Sequence, residues 1–343
     1  MRIKEIFTQE RAALIAEIGI NHNGDRDSAK KLIIAAAQAG ADAVKFQTYN
    51  PESLYSVYTK SLMETGSESF PDRGIINFFA QFYFSPKDLA YLKKTADSNN
   101  VEFFSAPFDI ESVDTLEKIG VRLYKVASSE VTNIRLLNAI AQTGKPVLLS
   151  TGMTHEKEIA EAVSILNKAG CDLTILHCVS LYPLQDSEMN LSRMSYLAKR
   201  FEKPVGFSDH SKDITGAVAA SFMGASVIEK HFTLGGDYRC PDENVSVDPS
   251  GLKKLDEELR KARVMMGNGA VSFDVKEAEV AKGARRSLYA KKAIPAGKVL
   301  DEHDMIEKRP GVGIPADKIY FYIGKRSRKN IEKDFLLHDE YFE

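Results

Sequence analysis

Short apolar, β-branched runs alternate along the chain with longer stretches in which Ile, Leu and Val recur at helical spacing. The runs predict strands at residues 13–18, 43–47, 101–106, 123–127, 147–150, 173–178, 205–207 and 226–230. Helical patterns lie between them, as at 28–39 and 112–119. Glycine closes several predicted helices, at Gly40, Gly120, Gly144, Gly170 and Gly224. Strand and helix repeating about eight times in roughly 230 residues fits an α/β fold of the (β/α)8 TIM-barrel kind. A doubly wound open sheet is the competing arrangement, weakened because no GxGxxG follows the first strand.

Two segments break the pattern. Residues 49–85 are too long for an ordinary connection and contain Pro51, Gly66, Pro71 and Gly74, which predicts a lid or a disordered segment. After Gly267 the texture changes, dividing the chain into a barrel at 1–267, a linker with one short helix at 268–283 and a β-rich tail at 284–343. Turn signals punctuate the tail at Pro295-Ala296-Gly297 and Arg309-Pro310-Gly311. A tail of about 60 residues is large enough to fold alone or against a partner.

Composition narrows the class. The 343 residues carry 46 Lys and Arg against 48 Asp and Glu, with 43% hydrophobic residues, as in an ordinary globular protein. There is no basic excess for nucleic-acid binding and no apolar stretch long enough for a membrane span. Charges stand at the N-terminus where a signal peptide would be apolar, so a cytoplasmic location is expected. Cys171, Cys178 and Cys240 form no CxxC and read as reduced thiols.

In such a barrel the chemistry sits at the C-terminal ends of the strands. Those positions hold Glu17, Lys45, Gln47, Ser105, Lys125, Ser128, Ser129, Glu130, Ser150, His177, Tyr182, Ser208, His210 and His231, with Asp242 just beyond. Two lysines and several serines suit a ligand bearing phosphate and carboxylate. His210 and His231, at the ends of adjacent strands, suit a shared metal with open positions for water and substrate. Each residue alone has a plainer role. Lys45 can be a rim salt-bridge partner, His231 and His177 packed rings, Ser128 and Ser129 a helix cap, and His22 and Asn23 the shape of a turn. Their concentration at one rim favours the functional reading.

Seven segments resemble the sialic acid synthase family in order and spacing: Ala16-Glu17-Ile18-Gly19-Ile20-Asn21-His22-Asn23-Gly24, Val44-Lys45-Phe46-Gln47-Thr48, Ser105-Ala106-Pro107-Phe108, Tyr124-Lys125-Val126-Ala127-Ser128-Ser129-Glu130, Leu149-Ser150-Thr151-Gly152-Met153, Gly206-Phe207-Ser208-Asp209-His210-Ser211 and Ile228-Glu229-Lys230-His231-Phe232-Thr233. The tail, with Ser287-Leu288-Tyr289-Ala290, Ile294-Pro295-Ala296-Gly297 and Lys308-Arg309-Pro310-Gly311, resembles that family's antifreeze-like (SAF) domain.

The resemblance implies condensation of phosphoenolpyruvate with an N-acyl mannosamine-type sugar aldehyde. It implies a divalent metal (Mn2+ first, Mg2+ or Co2+ otherwise) on His210 and His231, and a domain-swapped homodimer. By the same resemblance Lys45, Lys125, Ser128, Ser150 and Ser208 cradle phosphoenolpyruvate, with Ser105 as a further substrate contact. Glu17 steers or deprotonates a water. Gln47, Tyr182, Glu130 and Asp242 serve the sugar or proton transfer, and Arg309 reaches the acylamino group in the partner's site. Lys45-Phe46-Gln47, Glu130-Val131-Thr132-Asn133 and Arg286-Ser287-Leu288 look closer to legionaminic acid synthases, which take 2,4-diacetamido-2,4,6-trideoxymannose, than to N-acetylneuraminate synthases. Ala106 stands where many members have Thr, Arg239-Cys240 where Gly often precedes the Pro, and Arg285-Arg286 where neuraminate enzymes carry apolar and aromatic residues. Alternatives are a pseudaminic acid synthase, a Schiff-base pyruvate aldolase using Lys125 or Lys45, or a sugar-binding protein that kept the fold without the chemistry.

Overall fold

The computed structural model describes residues 2–7, 10–65 and 72–343. Eight parallel strands close a barrel: β1 (Ala13–Gly19), β2 (Ala43–Thr48), β3 (Glu102–Pro107), β4 (Tyr124–Val126), β5 (Val147–Ser150), β6 (Leu173–Cys178), β7 (Val205–Asp209) and β8 (Val227–His231). β1 pairs with both β2 and β8, so no edge remains. The strand ends differ from the sequence expectation by at most two residues. The largest shift is at β7, which runs on through Ser208 and Asp209.

A helix follows each strand and packs an apolar stripe on the outside of the wall. The helix after β3, for example, buries Val113 and Leu116. Short polar side chains start these helices: Asp25, Ser85, Asp109, Asn133 and Asp248 each accept a backbone N–H of the first turn. Gly120 ends its helix at φ 77°, a left-handed conformation that favours glycine. An N-terminal turn, Ile3–Ile6, closes the floor by packing Ile3 and Phe7 against Ala13, Phe104, Leu148 and Val227.

The long connection after β2 is not a bare loop. Its described residues form helices at Pro51–Leu54, Thr59–Thr65 and Gly74–Ala80. An aromatic cluster joins the first and the last of them, with Tyr55 on Phe79 at 5.3 Å and Phe78 against Phe82 at 5.2 Å. Gly66 and Pro71, which contributed to the loop expectation, lie outside the described residues.

The chain divides into compact units at Met1–Gly267 and Asn268–Glu343. The segment expected as a linker carries the helix Val275–Ala284 and counts with the second unit, to which Gly311 N–H ties it through the Lys282 carbonyl. That unit pairs β9 (Ser287–Ala290) antiparallel with β10 (Met305–Lys308) and adds isolated bridges such as Ile294 to Ile331. Its own core contains Leu288, Ile294, Leu300, Tyr322, Leu337 and Phe342. Among the described residues no helix is long and apolar enough to cross a membrane.

Candidate active site

Side chains two apart on a strand share a face. This alternation turns Glu17, Lys45, Gln47, Lys125, Ser150, Cys178, Ser208 and Glu229 into the barrel at its C-terminal rim. With Phe108, Ser128, Ser129, Met153, Ser180, Tyr182, His210 and His231 they line a cavity of about 250 Å³. A larger cavity of about 560 Å³ lies at the opposite ends of the strands, beside Ala13, Pro204 and Ser226. None of the predicted rim residues lines it, so the smaller one is the candidate site.

Glu229 is the hub of the rim. Its Oε1 accepts from Lys125 Nζ at 3.1 Å and Ser208 Oγ at 3.0 Å, and stands 3.6 Å from Lys45 Nζ. Lys45 also faces Glu17 Oε2 at 2.9 Å, and Gln47 reaches Glu17 Oε1 at 3.5 Å. Burial alone would lower both lysine pKa values. Glu17 and Glu229 outweigh it at Lys45, which is raised overall. Lys125 has Glu229 on one side and like-charged Lys45 on the other, and is lowered. Burial opposes ionisation of Glu229, but Lys125 and Lys45 bring its pKa down to about 2.

The two lysines are therefore matched by two carboxylates, an arrangement more balanced than the anion cradle expected from the lysines alone. Polar satisfaction is incomplete at this place. Glu17 Oε2, Glu229 Oε2, Ser150 Oγ and His231 Nδ1 are buried without an aligned hydrogen bond, and all four residues line this cavity. The Glu17–Lys45 contact is thus an ion pair without hydrogen-bond alignment. Buried polar atoms are normally satisfied, so such a cluster marks a place built to receive polar groups.

The rings of His210 and His231 lie 5.4 Å apart. His210 Nδ1 is 2.9 Å from the Val179 carbonyl, which puts the ring proton on Nδ1 and leaves Nε2 as the acceptor of the Tyr182 hydroxyl at 3.0 Å. Tyr182 stacks on His210 at 4.1 Å. His231 Nδ1 lies 3.2 Å from Asp242 Oδ2. Among the described residues no group of three or more His, Cys, Asp or Glu side chains is arranged to hold a metal. Two neighbouring imidazoles that both line the cavity, one of them backed by the Asp242 carboxylate, nevertheless fit a divalent cation that keeps open positions.

Four predicted site residues fall outside the cavity lining. Ser105 is buried against Thr48 Oγ1 at 2.7 Å. Glu130 accepts from Ser129 Oγ at 3.1 Å and Asn133 Nδ2 at 2.8 Å, so it is engaged in the turn that opens the next helix. Asp242 stands behind His231. Arg309 is exposed on the second unit. His22 and His177 are packed rings: His22 stacks on Phe84 at 4.2 Å, and His177 stacks on Phe207 with Nε2 2.8 Å from the Met189 carbonyl. Sequence reasoning missed Glu229, Cys178, Ser180, Phe108 and Met153. For Glu229 a signal existed: it lies two residues before His231 on one strand and so shares its face.

A closed parallel barrel with a buried, charge-balanced polar site at its C-terminal rim, carried beside a small β-rich unit, defines a (β/α)8-barrel protein with an appended domain. Residues 32–271 match the NeuB family and residues 285–342 match the SAF domain. An N,N'-diacetyllegionaminic acid synthase of Campylobacter jejuni subsp. jejuni serotype O:2 is 38% identical over 96% of this chain and 100% of its own length. A pseudaminic acid synthase of Campylobacter jejuni subsp. jejuni serotype O:23/36 is 33% identical over 97% of each chain. The crystal structure of an N-acetylneuraminic acid (sialic acid) synthetase from Leptospira borgpetersenii serovar Hardjo-bovis, in complex with citrate, is 36% identical. It superposes with a TM-score of 0.71 over 79% of this chain and 90% of that one. The chain belongs to the NeuB family, whose named relatives here are sialic-type acid synthases, and it carries a SAF domain.

Proposed function

We propose that this protein condenses phosphoenolpyruvate with an N-acyl mannosamine-type sugar in its open-chain aldehyde form, releasing phosphate and a nine-carbon 2-keto acid. The observation that carries the reading is the cavity itself, where two ammonium groups, two carboxylates and five serines meet beside a histidine pair. Lys45 and Lys125, with Ser128, Ser150 and Ser208, bind the phosphate and carboxylate. Because Glu17 and Glu229 already balance the lysines, a trianionic substrate calls for further positive charge at the rim. His210 and His231 would hold a divalent cation (Mn2+ first, Mg2+ or Co2+ otherwise), which would supply that charge and Lewis acidity toward the aldehyde.

In the reaction carbon 3 of phosphoenolpyruvate forms the new bond to the aldehyde carbon, water adds at carbon 2, and the carbon–oxygen bond to phosphate breaks. The water oxygen becomes the keto oxygen at carbon 2 and gives up both protons, one matched by the proton the aldehyde oxygen gains and the other leaving on the phosphate, so protons balance. In this reading Glu17, whose Oε2 is buried 2.9 Å from Lys45 Nζ, takes a proton of that water. Gln47 and Tyr182 contact sugar hydroxyls. Glu130 and Asp242 act indirectly, through the Ser128–Glu130 turn and through His231. A domain-swapped homodimer, with Arg309 serving the acylamino group, and a cytoplasmic location belong to the same proposal. The preferred sugar is 2,4-diacetamido-2,4,6-trideoxymannose.

The test is phosphate release from phosphoenolpyruvate with Mn2+, offering that sugar, N-acetylmannosamine and the pseudaminic precursor separately. Release with the first alone supports the reading, release with another alone reassigns the sugar, and release with none overturns the condensation. The lowered pKa of buried Lys125 keeps a Schiff-base aldolase as the second reading. Loss of activity after borohydride and pyruvate would favour it.

A further inference from the structure

Asp209 and Lys230 immediately precede His210 and His231, and strand alternation therefore turns their side chains away from the cavity and out through the barrel wall. Both are fully buried there, and Lys230 Nζ lies 3.1 Å from Asp209 Oδ2. The two residues are direct partners in the β7–β8 register. Asp209 Oδ1 also accepts the Ser211 N–H at 2.8 Å, and Lys230 Nζ donates to the Ser211 carbonyl. The ion pair thus ties β7 to β8 at the level of the two histidines and pins the residue that follows His210.

Burying two charges costs about as much as their attraction returns, and an apolar pair of like volume is often equally stable. What an apolar pair lacks is direction. The two Lys230 contacts fix the end of β8 relative to the end of β7, and the Asp209–Ser211 bond holds the turn after His210, which together bear on the separation of the rings on the opposite face.

We propose that Asp209 and Lys230 are positioning residues whose buried ion pair sets the spacing of His210 and His231 for a divalent cation, an inference that rests on the reading of those histidines as a metal site. Neither residue touches substrate. Groups that hydrogen-bond metal-ligating histidines directly are typically worth roughly 10–100-fold in metal affinity, and a pair acting one step behind them is expected at the lower end of that range.

The experiment titrates Mn2+ alone into the EDTA-stripped full-length protein by calorimetry. Wild type is compared with His210→Ala, with Asp209→Asn/Lys230→Met, and with Asp209→Asn alone, which keeps the shape and removes the charge of the pair. Circular dichroism reports folding, and the single variant serves if the double one does not fold. The expected result is binding by wild type, loss in His210→Ala, and affinity at least tenfold weaker in a folded Asp209 variant. Turnover of that variant recovers at excess Mn2+ with KM for phosphoenolpyruvate unchanged, a rescue that a merely structural defect would not show. Unchanged Mn2+ affinity in a folded variant overturns the positioning role while leaving the metal site intact. Absent binding in wild type, or equal binding in His210→Ala, overturns the metal reading itself.

Discussion

Glu229 Oε1 gathers Lys125, Ser208 and the edge of Lys45 around one atom. Removing its charge leaves two buried ammonium groups short of a counter-ion. Breaking one side of such a pair costs about 3–5 kcal/mol, so Glu229→Gln is expected to lose stability on that scale in urea unfolding and to lose phosphate release as well. Ser105→Ala removes one buried hydroxyl off the cavity, a loss of about 1 kcal/mol, and leaves turnover near wild type. His22 gives a separate signature in pH. Burial, outweighing a backbone bond to Gly19 and the charge of Asp25, lowers its pKa from 6.5 to about 3. Above pH 6.5 it is neutral folded or unfolded. Below that value only the unfolded chain takes up the proton, so stability falls by up to ~1.4 kcal/mol per pH unit until about pH 3. His22→Gln should remove this part of the slope when urea unfolding is compared between pH 7 and pH 4.5.

At the level of elements, the strands were legible because each is a short apolar run bounded by turn residues, and the shared rim followed from their common direction. What stayed hidden was which polar side chain at a strand end faces inward. Ser105 and Glu130 sit at the right ends but are engaged in local hydrogen bonds, whereas Glu229 lies one turn of the pleat deeper and owes its importance to lysines 184 and 104 residues away in sequence, a separation fixed by closure of the barrel. The long segment after β2 misled for a related reason: prolines and glycines announce breaks in structure, but the aromatic contacts that organise the pieces are tertiary. Wall packing is equally silent in the sequence. A Cβ at Gly206 in β7 would meet Leu176 Cδ2 at 2.5 Å and the Val227 carbonyl oxygen at 2.5 Å. The backbone atom cannot rotate aside, so Gly206→Ala is expected to cost about 1–3 kcal/mol, read as a lowered melting temperature.

At the scale of the whole molecule, the barrel and the second unit bury cores that share no residue. Leu337 is fully buried in the second core. Truncating such a leucine costs about 2–5 kcal/mol. Leu337→Ala should therefore lower the unfolding temperature of the second unit, followed by calorimetry, while the unfolding of the first unit stays where it was. The balanced charges of the rim carry a consequence for how a ligand arrives. Positive and negative groups a few ångströms apart cancel when seen from a Debye length away, about 10 Å at 0.1 M salt. The two lysine–carboxylate pairs of the rim therefore add little long-range pull on an approaching anion, and a cation seated on the histidines would add a field that reaches into solution. Diffusional steering, with its sensitivity to ionic strength, would then be a property switched on by loading the site rather than one written into the polypeptide.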